Sequence, residues 1–170
     1  MIDIAATSLM LAMLAVAVVT DLRTGKIYNK LTVPCAAAGV GLGAAAEGLS
    51  GAGDRLLGAA VVLGAVLLLS RLARLGGGDA KLLIAVGALK GFHFAVWAML
   101  LTGIFGGVLA AVAMVRARAL KATAFNMITN MLSNAGGVGA DLGEGSPVGK
   151  IPYSIAIALG SITALVLGVG

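Results

Sequence analysis

Apolar residues fall in blocks along this chain: five long apolar stretches and one short one, separated by brief polar or glycine-rich breaks. Ile4 to Val19 is a nearly unbroken apolar run, just long enough to cross a thin bilayer. It ends at Thr20-Asp21, and Leu22 to Lys30 follows as a polar turn carrying Arg23, Lys26 and Lys30. Leu31 to Ala46 is the second stretch, with Asn29 placed to cap it and Pro34 expected in its first turn. Gly39, Gly41 and Gly43 give it a thin face for a neighbouring helix. Glu47 to Asp54 reads as a loop, and Leu56 to Ala73 as the third stretch. After Gly76-Gly77-Gly78 comes the short stretch, Ala80 to Leu89, ended by Lys90. Phe92 to Val115 is long, with Trp97 near one end as an interface anchor, and Ile151-Pro152-Tyr153 opens the last. The pattern predicts an all-α polytopic membrane protein, a bundle of six transmembrane helices with a short fourth span.

Composition sharpens this picture. Of 170 residues 60% are hydrophobic and 11% charged, against about 25% charged in a soluble domain. At about 20 residues per spanning helix, six spans leave no room for a soluble domain, so residues 1–170 read as a single membrane domain. The first run is expected to be a retained span, not a signal peptide, because no Lys or Arg precedes it and no convincing cleavage site follows. The formal charge of +5 suits anionic lipid headgroups, and nothing in it points to nucleic acid. With one cysteine, Cys35, there is no internal disulfide and no paired-cysteine zinc site. One histidine, His93, gives no metal ligand set. No metal and no cofactor is therefore expected; Cys35 reads as small helix filler and His93 as interface packing.

Charge decides the topology. If Ala80 to Leu89 crosses, ten basic residues share one side: Arg23, Lys26, Lys30, Arg71, Arg74, Lys81, Arg116, Arg118, Lys121 and Lys150. Arg55 and Lys90 alone lie opposite. A re-entrant reading spreads the charge nearly evenly, so the positive-inside rule favours crossing, with the crowded side cytoplasmic and both termini outside. Ala119 to Ser133 reads as a cytoplasmic amphipathic helix on the membrane surface before the last span, and the glycine-rich 134–150 segment as a gate over substrate approach.

That topology was built without the acids, yet it puts Asp21 and Asp79 on one side at similar depth. A carboxylate at the centre of a spanning helix costs roughly 2.5–3.5 kcal/mol, so such residues are functional candidates. Two carboxyls a few ångströms apart cannot both ionise and share a proton, the arrangement that lets one activate a water while the other donates. Gly76, Gly77 and Gly78 remove side chains beside Asp79, so a substrate backbone can come close. Lys81 is placed either to tune the pair or to reach the headgroups.

In this order, these residues resemble the type IV prepilin peptidase family. Asp21 matches its aspartate at the end of the first span, and Gly76-Gly77-Gly78-Asp79 its GxGD motif at the start of the fourth. Ala80-Lys81-Leu82-Leu83 is similar to the family's continuation. Asp21 to Asn29 is similar to its Asp-to-Ile-Pro-Asn segment, with Tyr28 where proline is usual. Lys150-Ile151-Pro152-Tyr153 resembles the final-span signature of the small branch serving Flp/Tad-type pili. The resemblance implies an aspartyl endopeptidase of the cytoplasmic membrane with Asp21 and Asp79 catalytic. Its partner is expected to be a prepilin whose short basic leader is cut on the cytoplasmic face, after glycine, ahead of an apolar helix. It also implies cleavage without N-methylation, since no cysteine-paired methyltransferase portion is present.

Other readings use the same residues differently. A presenilin-type peptidase shares the GxGD string but has tyrosine before its first aspartate, where Thr20 stands here. A lipoprotein signal peptidase would have four spans and outward-facing acids. A rhomboid-type serine peptidase would need a GxSG partner for His93. A small transporter or a pilus-assembly scaffold would use Asp21 and Asp79 as a proton or cation site, and a repeat between the two halves would favour it; none is visible.

Overall fold

The computed structural model describes residues 2–69, 77–116 and 153–169. Among these there are six helices and no strand: α1 (Ile2–Thr24), α2 (Asn29–Glu47), α3 (Leu49–Leu69), α4 (Gly77–Lys90), α5 (Phe92–Arg116) and α6 (Tyr153–Val166). Gly76, Pro152, the 119–133 segment and the 134–150 loop lie outside the described residues, as do Arg71, Arg74, Arg118, Lys121 and Lys150. By length and composition three helices can cross a membrane: α1, α3 over Leu49–Leu68 and α5 over Phe92–Ala113. α6 is a shorter apolar helix. Large apolar side chains such as Leu56, Leu63, Leu100, Ile104 and Val108 are exposed around the bundle. A soluble protein rarely exposes so much apolar surface in contiguous patches; this is a membrane protein.

Three local expectations are corrected. α1 runs on to Thr24, so Asp21 lies within its last turn and does not close it. The third helix begins at Leu49, and the anticipated 47–54 loop shrinks to Gly48, whose positive φ of 66° an L-residue rarely adopts. α2 starts at Asn29, with Tyr28 as its N-cap residue and no side-chain cap bond; Asn29 is not the cap, and Pro34 falls inside the helix.

The bundle is built around α4. This helix has 14 residues, about 21 Å at 1.5 Å per residue against a hydrocarbon core of roughly 30 Å. It packs against all five other described helices, and its residues from Leu82 to Lys90 are buried apart from the half-buried Ile84. Such an element is surrounded by protein and not by lipid, so its length need not match the bilayer.

Glycine sets how closely its neighbours come. A Cβ on Gly58 of α3 would stand 2.6 Å from the carbonyl oxygen of Gly87, and one on Gly87 would stand 2.7 Å from that of Gly58. The two backbones therefore touch directly, as small residues allow in membrane helices. On the other side Gly39 of α2 meets the backbone of Ala88.

The far end of α4 is tied by polar groups. Lys90 has a side chain only 3% exposed; it reaches Asp3 of α1 at 2.8 Å and Thr7 Oγ1 at 3.3 Å. Arg55 of α3 donates to the carbonyl of Leu89, one of the unpaired acceptors at the end of α4. Asp54, placed by the sequence in a loop, accepts from the Phe92 amide at 3.3 Å and so caps α5 across the one-residue break at Gly91.

Gly58→Ala should therefore lower the unfolding midpoint in detergent, at a cost of about 1–3 kcal/mol typical of overpacking. Gly64→Ala, where an added Cβ meets nothing within 4 Å, should leave the midpoint unchanged or raise it. Equal effects of the two substitutions would disprove the direct α3–α4 backbone contact.

Candidate active site

Asp21 and Asp79 reach one place from different helices. α1 and α4 run antiparallel, joined at one end by Asp3 and Lys90, so the last turn of α1 and the first turn of α4 share the opposite end. There both aspartates line a single open cavity of about 790 Å³. Both are half-buried, so the cavity keeps contact with water. Its remaining wall is the connection between α1 and α2 from Gly25 to Tyr28, the first two residues of α2, Asn29 and Lys30, and Gly77 and Gly78.

The glycines before Asp79 have different surroundings. A Cβ on Gly77 would meet nothing within 4 Å, which leaves the cavity wall open there. At Gly78 it would stand 3.1 Å from Ile27 Cβ. Gly78 thus lets the α1–α2 connection lie against the start of α4, and the space beside it belongs to Ile27 before it belongs to any ligand.

Lys81 is exposed and donates to Asn29 Oδ1 at 2.9 Å. The bond ties the first turn of α4 to that of α2 at the cavity rim, which gives Asn29 a role other than capping. Among the described residues no group of three His, Cys, Asp or Glu is arranged to hold a metal. Cys35 is buried and free, and His93 is exposed near the opposite end.

α6 supplies two residues to the site, one of which, Ser154, the sequence did not single out. Ser154, fully buried, donates from Oγ to Asp21 Oδ2 at 2.6 Å. Tyr153 lies against Gly106 of α5 and lines a small cavity together with Asp79. Neighbouring Pro152 and Tyr153 were visible as a motif, but a serine beside them carries no periodic or spacing signal. Only the folding of α6 onto α1 gives it a partner 133 positions away.

The arrangement is two carboxyls from separate helices in a water-accessible cleft, one held by a buried hydroxyl. It can deliver and accept protons on either side of a bound water, which is what hydrolysis by a carboxylate pair requires. Comparison with known proteins bears on which bond that would be. Residues 8–111, which carry both aspartates, match the family model described as the type IV leader peptidase family. No curated protein and no solved structure matches the chain.

A double-mutant cycle over Ser154→Ala and Asp21→Ala, read by unfolding in detergent, should give a coupling of about 1–2 kcal/mol, as for a hydrogen bond to a partly solvated carboxylate. A coupling near zero would mean that the two side chains do not meet.

Proposed function

The chain belongs to the type IV leader peptidase family, and from that premise we propose that it is an aspartyl endopeptidase cutting the leader from prepilins of the Flp type. The observation that carries the reading is the convergence of Asp21 and Asp79 on one open cavity. In the proposed reaction one carboxylate takes a proton from a water held between the pair. The water oxygen then adds to the scissile carbonyl carbon while the other carboxyl gives its proton to the carbonyl oxygen. Collapse of the tetrahedral intermediate breaks the C–N bond, and a proton returns from the pair to the departing amine nitrogen. No metal and no cofactor enters these steps.

Orientation is part of the proposal. Arg23, Lys26, Lys30 and Lys81 stand at the end that holds the aspartates, whereas Arg55 and Lys90 stand at the end with Asp3 and Asp54. A basic excess marks the cytoplasmic side, so the cavity faces the cytoplasm and meets a leader before it is exported. We read the chain as six spans, α4 crossing under the cover of its neighbours and α2 and α6 crossing at its sides. The substrate's apolar helix would then lie in the bilayer beside the bundle with its leader passing the cavity.

The test is cleavage of a co-expressed Flp-type prepilin. Asp21→Asn and Asp79→Asn should each reduce leader removal by at least about 100-fold, the scale of a lost general acid or base, while membrane levels stay normal. Full cleavage by either variant would rule out the carboxylate pair. Cation or proton flux lost in the same variants, with no cleavage by the wild type, would favour a transporter instead.

A further inference from the structure

The two aspartates line one cavity, yet their immediate partners differ. Asp21 Oδ2 accepts from Ser154 Oγ at 2.6 Å, within the roughly 2.5–2.7 Å usual for a hydroxyl bonded to an ionised carboxylate. Asp79 has no hydrogen-bond or ion-pair partner among the described residues. Its other neighbours are the apolar side chains of Val66, Leu83, Met99 and Ile157. The placing of Ser154 follows from its helix. It is the second residue of α6, so no earlier turn of that helix offers a carbonyl to its hydroxyl, the usual local partner of a helical serine. Tyr153 before it seats against Gly106 of α5, and α6 packs on α5 and α1, which sets the buried Oγ against the last turn of α1.

Resting on the peptidase reading above, we infer that Ser154 is a positioning residue that divides the work of the pair. It holds Asp21 as the carboxylate that takes a proton from water, and it leaves Asp79 as the carboxyl that carries the shared proton. Two neighbouring carboxyls with one proton between them have two arrangements. A donor fixed on one of them selects the arrangement in which that one is the anion, because a hydrogen bond to an anion is about twice as strong as a neutral one. Asp79, with no donor, loses no such bond by holding the proton. With Oδ2 engaged by Ser154, Oδ1 is the oxygen of Asp21 left for the water. The cations nearby do not select in this way. Lys26 and Lys30 stand on the cavity wall, Arg23 is exposed and Lys81 is tied to Asn29; among the described residues none of them pairs with either acid.

The protons then balance through the reaction. Asp21 gains one from water as the water oxygen bonds to the carbonyl carbon, and Asp79 gives its own to the carbonyl oxygen. As the C–N bond breaks, Asp21 passes its proton to the amine nitrogen and Asp79 recovers one from a hydroxyl of the intermediate. Both acids end as they began.

The experiment locates the resting proton by labelling the full chain in membranes at neutral pH. A carboxylate opens a small epoxide by attack on its ring carbon. A diazo ester instead takes the proton of a carboxylic acid, loses N2 and is bound by the carboxyl oxygen. Mass spectrometry of fragments shows which aspartate carries each adduct, under conditions in which the buried Cys35 stays closed to a maleimide and so reports an intact fold. Wild type should carry the epoxide on Asp21 and the diazo adduct on Asp79, each by roughly tenfold, as expected from one hydrogen bond to a charged group. Ser154→Ala should bring both ratios close to one, and Ser154→Thr, which keeps the donor, should restore them. Equal or reversed labelling in the wild type would overturn the inference, as would the wild-type ratios persisting in Ser154→Ala; prepilin cleavage, and the peptidase reading with it, would stand in either case. A wild type that cleaves no prepilin would instead remove the peptidase reading, and the role of Ser154 in hydrolysis with it.

Discussion

Everything in this bundle depends on keeping α4 away from lipid. The helix is too short to span a bilayer alone and carries an acid at one end and a lysine at the other. Both charges are tolerable because neighbouring helices surround it, and they can surround it because glycine lets their backbones touch. Gly58 against Gly87 draws α3 in, and Gly39 against Ala88 draws in α2. With no hydrophobic drive between helices in lipid, close packing of this kind is the main attraction that remains. The contacts that bring α3 and α2 onto α4 thus also fix where Asp79 is held.

α6 is the other half of the construction. It packs on α5 and α1 and so completes the wall that α1 and α4 begin. The family match spans residues 8–111 and includes both aspartates, but Tyr153 and Ser154 lie outside it. The hydroxyl that holds Asp21 comes from beyond the stretch that identifies the family.

The helices were legible in the sequence because each is an apolar block with a polar or glycine break. Boundaries were read less well, since apolarity marks where lipid or core begins and not where backbone hydrogen bonds stop. Thus α1 continues past Asp21, and α3 begins seven residues before its apolar part at Leu56. The common end of the two aspartates was legible because charge is rare here and the basic residues group around them. Ser154, the Asp54 cap and the Asp3–Lys90 pair were not legible. Each joins residues far apart in sequence whose types are common at helix ends, so nothing but packing distinguishes them. Gly78 was read as an opening and is instead the seat of Ile27, a difference one neighbouring side chain decides.

The Asp3–Lys90 pair works as a gauge. From Asp3 to Asp21 α1 covers about 27 Å, and from Asp79 to Lys90 α4 covers about 17 Å, at 1.5 Å per residue. The side chains of Lys90 and Asp3 bridge the difference, and the buried Lys90 has little freedom because Asp3 and Thr7 are the partners its ammonium meets. Sliding α1 by a turn would break that contact at one end and separate the aspartates at the other. The spacing of two groups at one end of the bundle is thus calibrated by a single ion pair at the other.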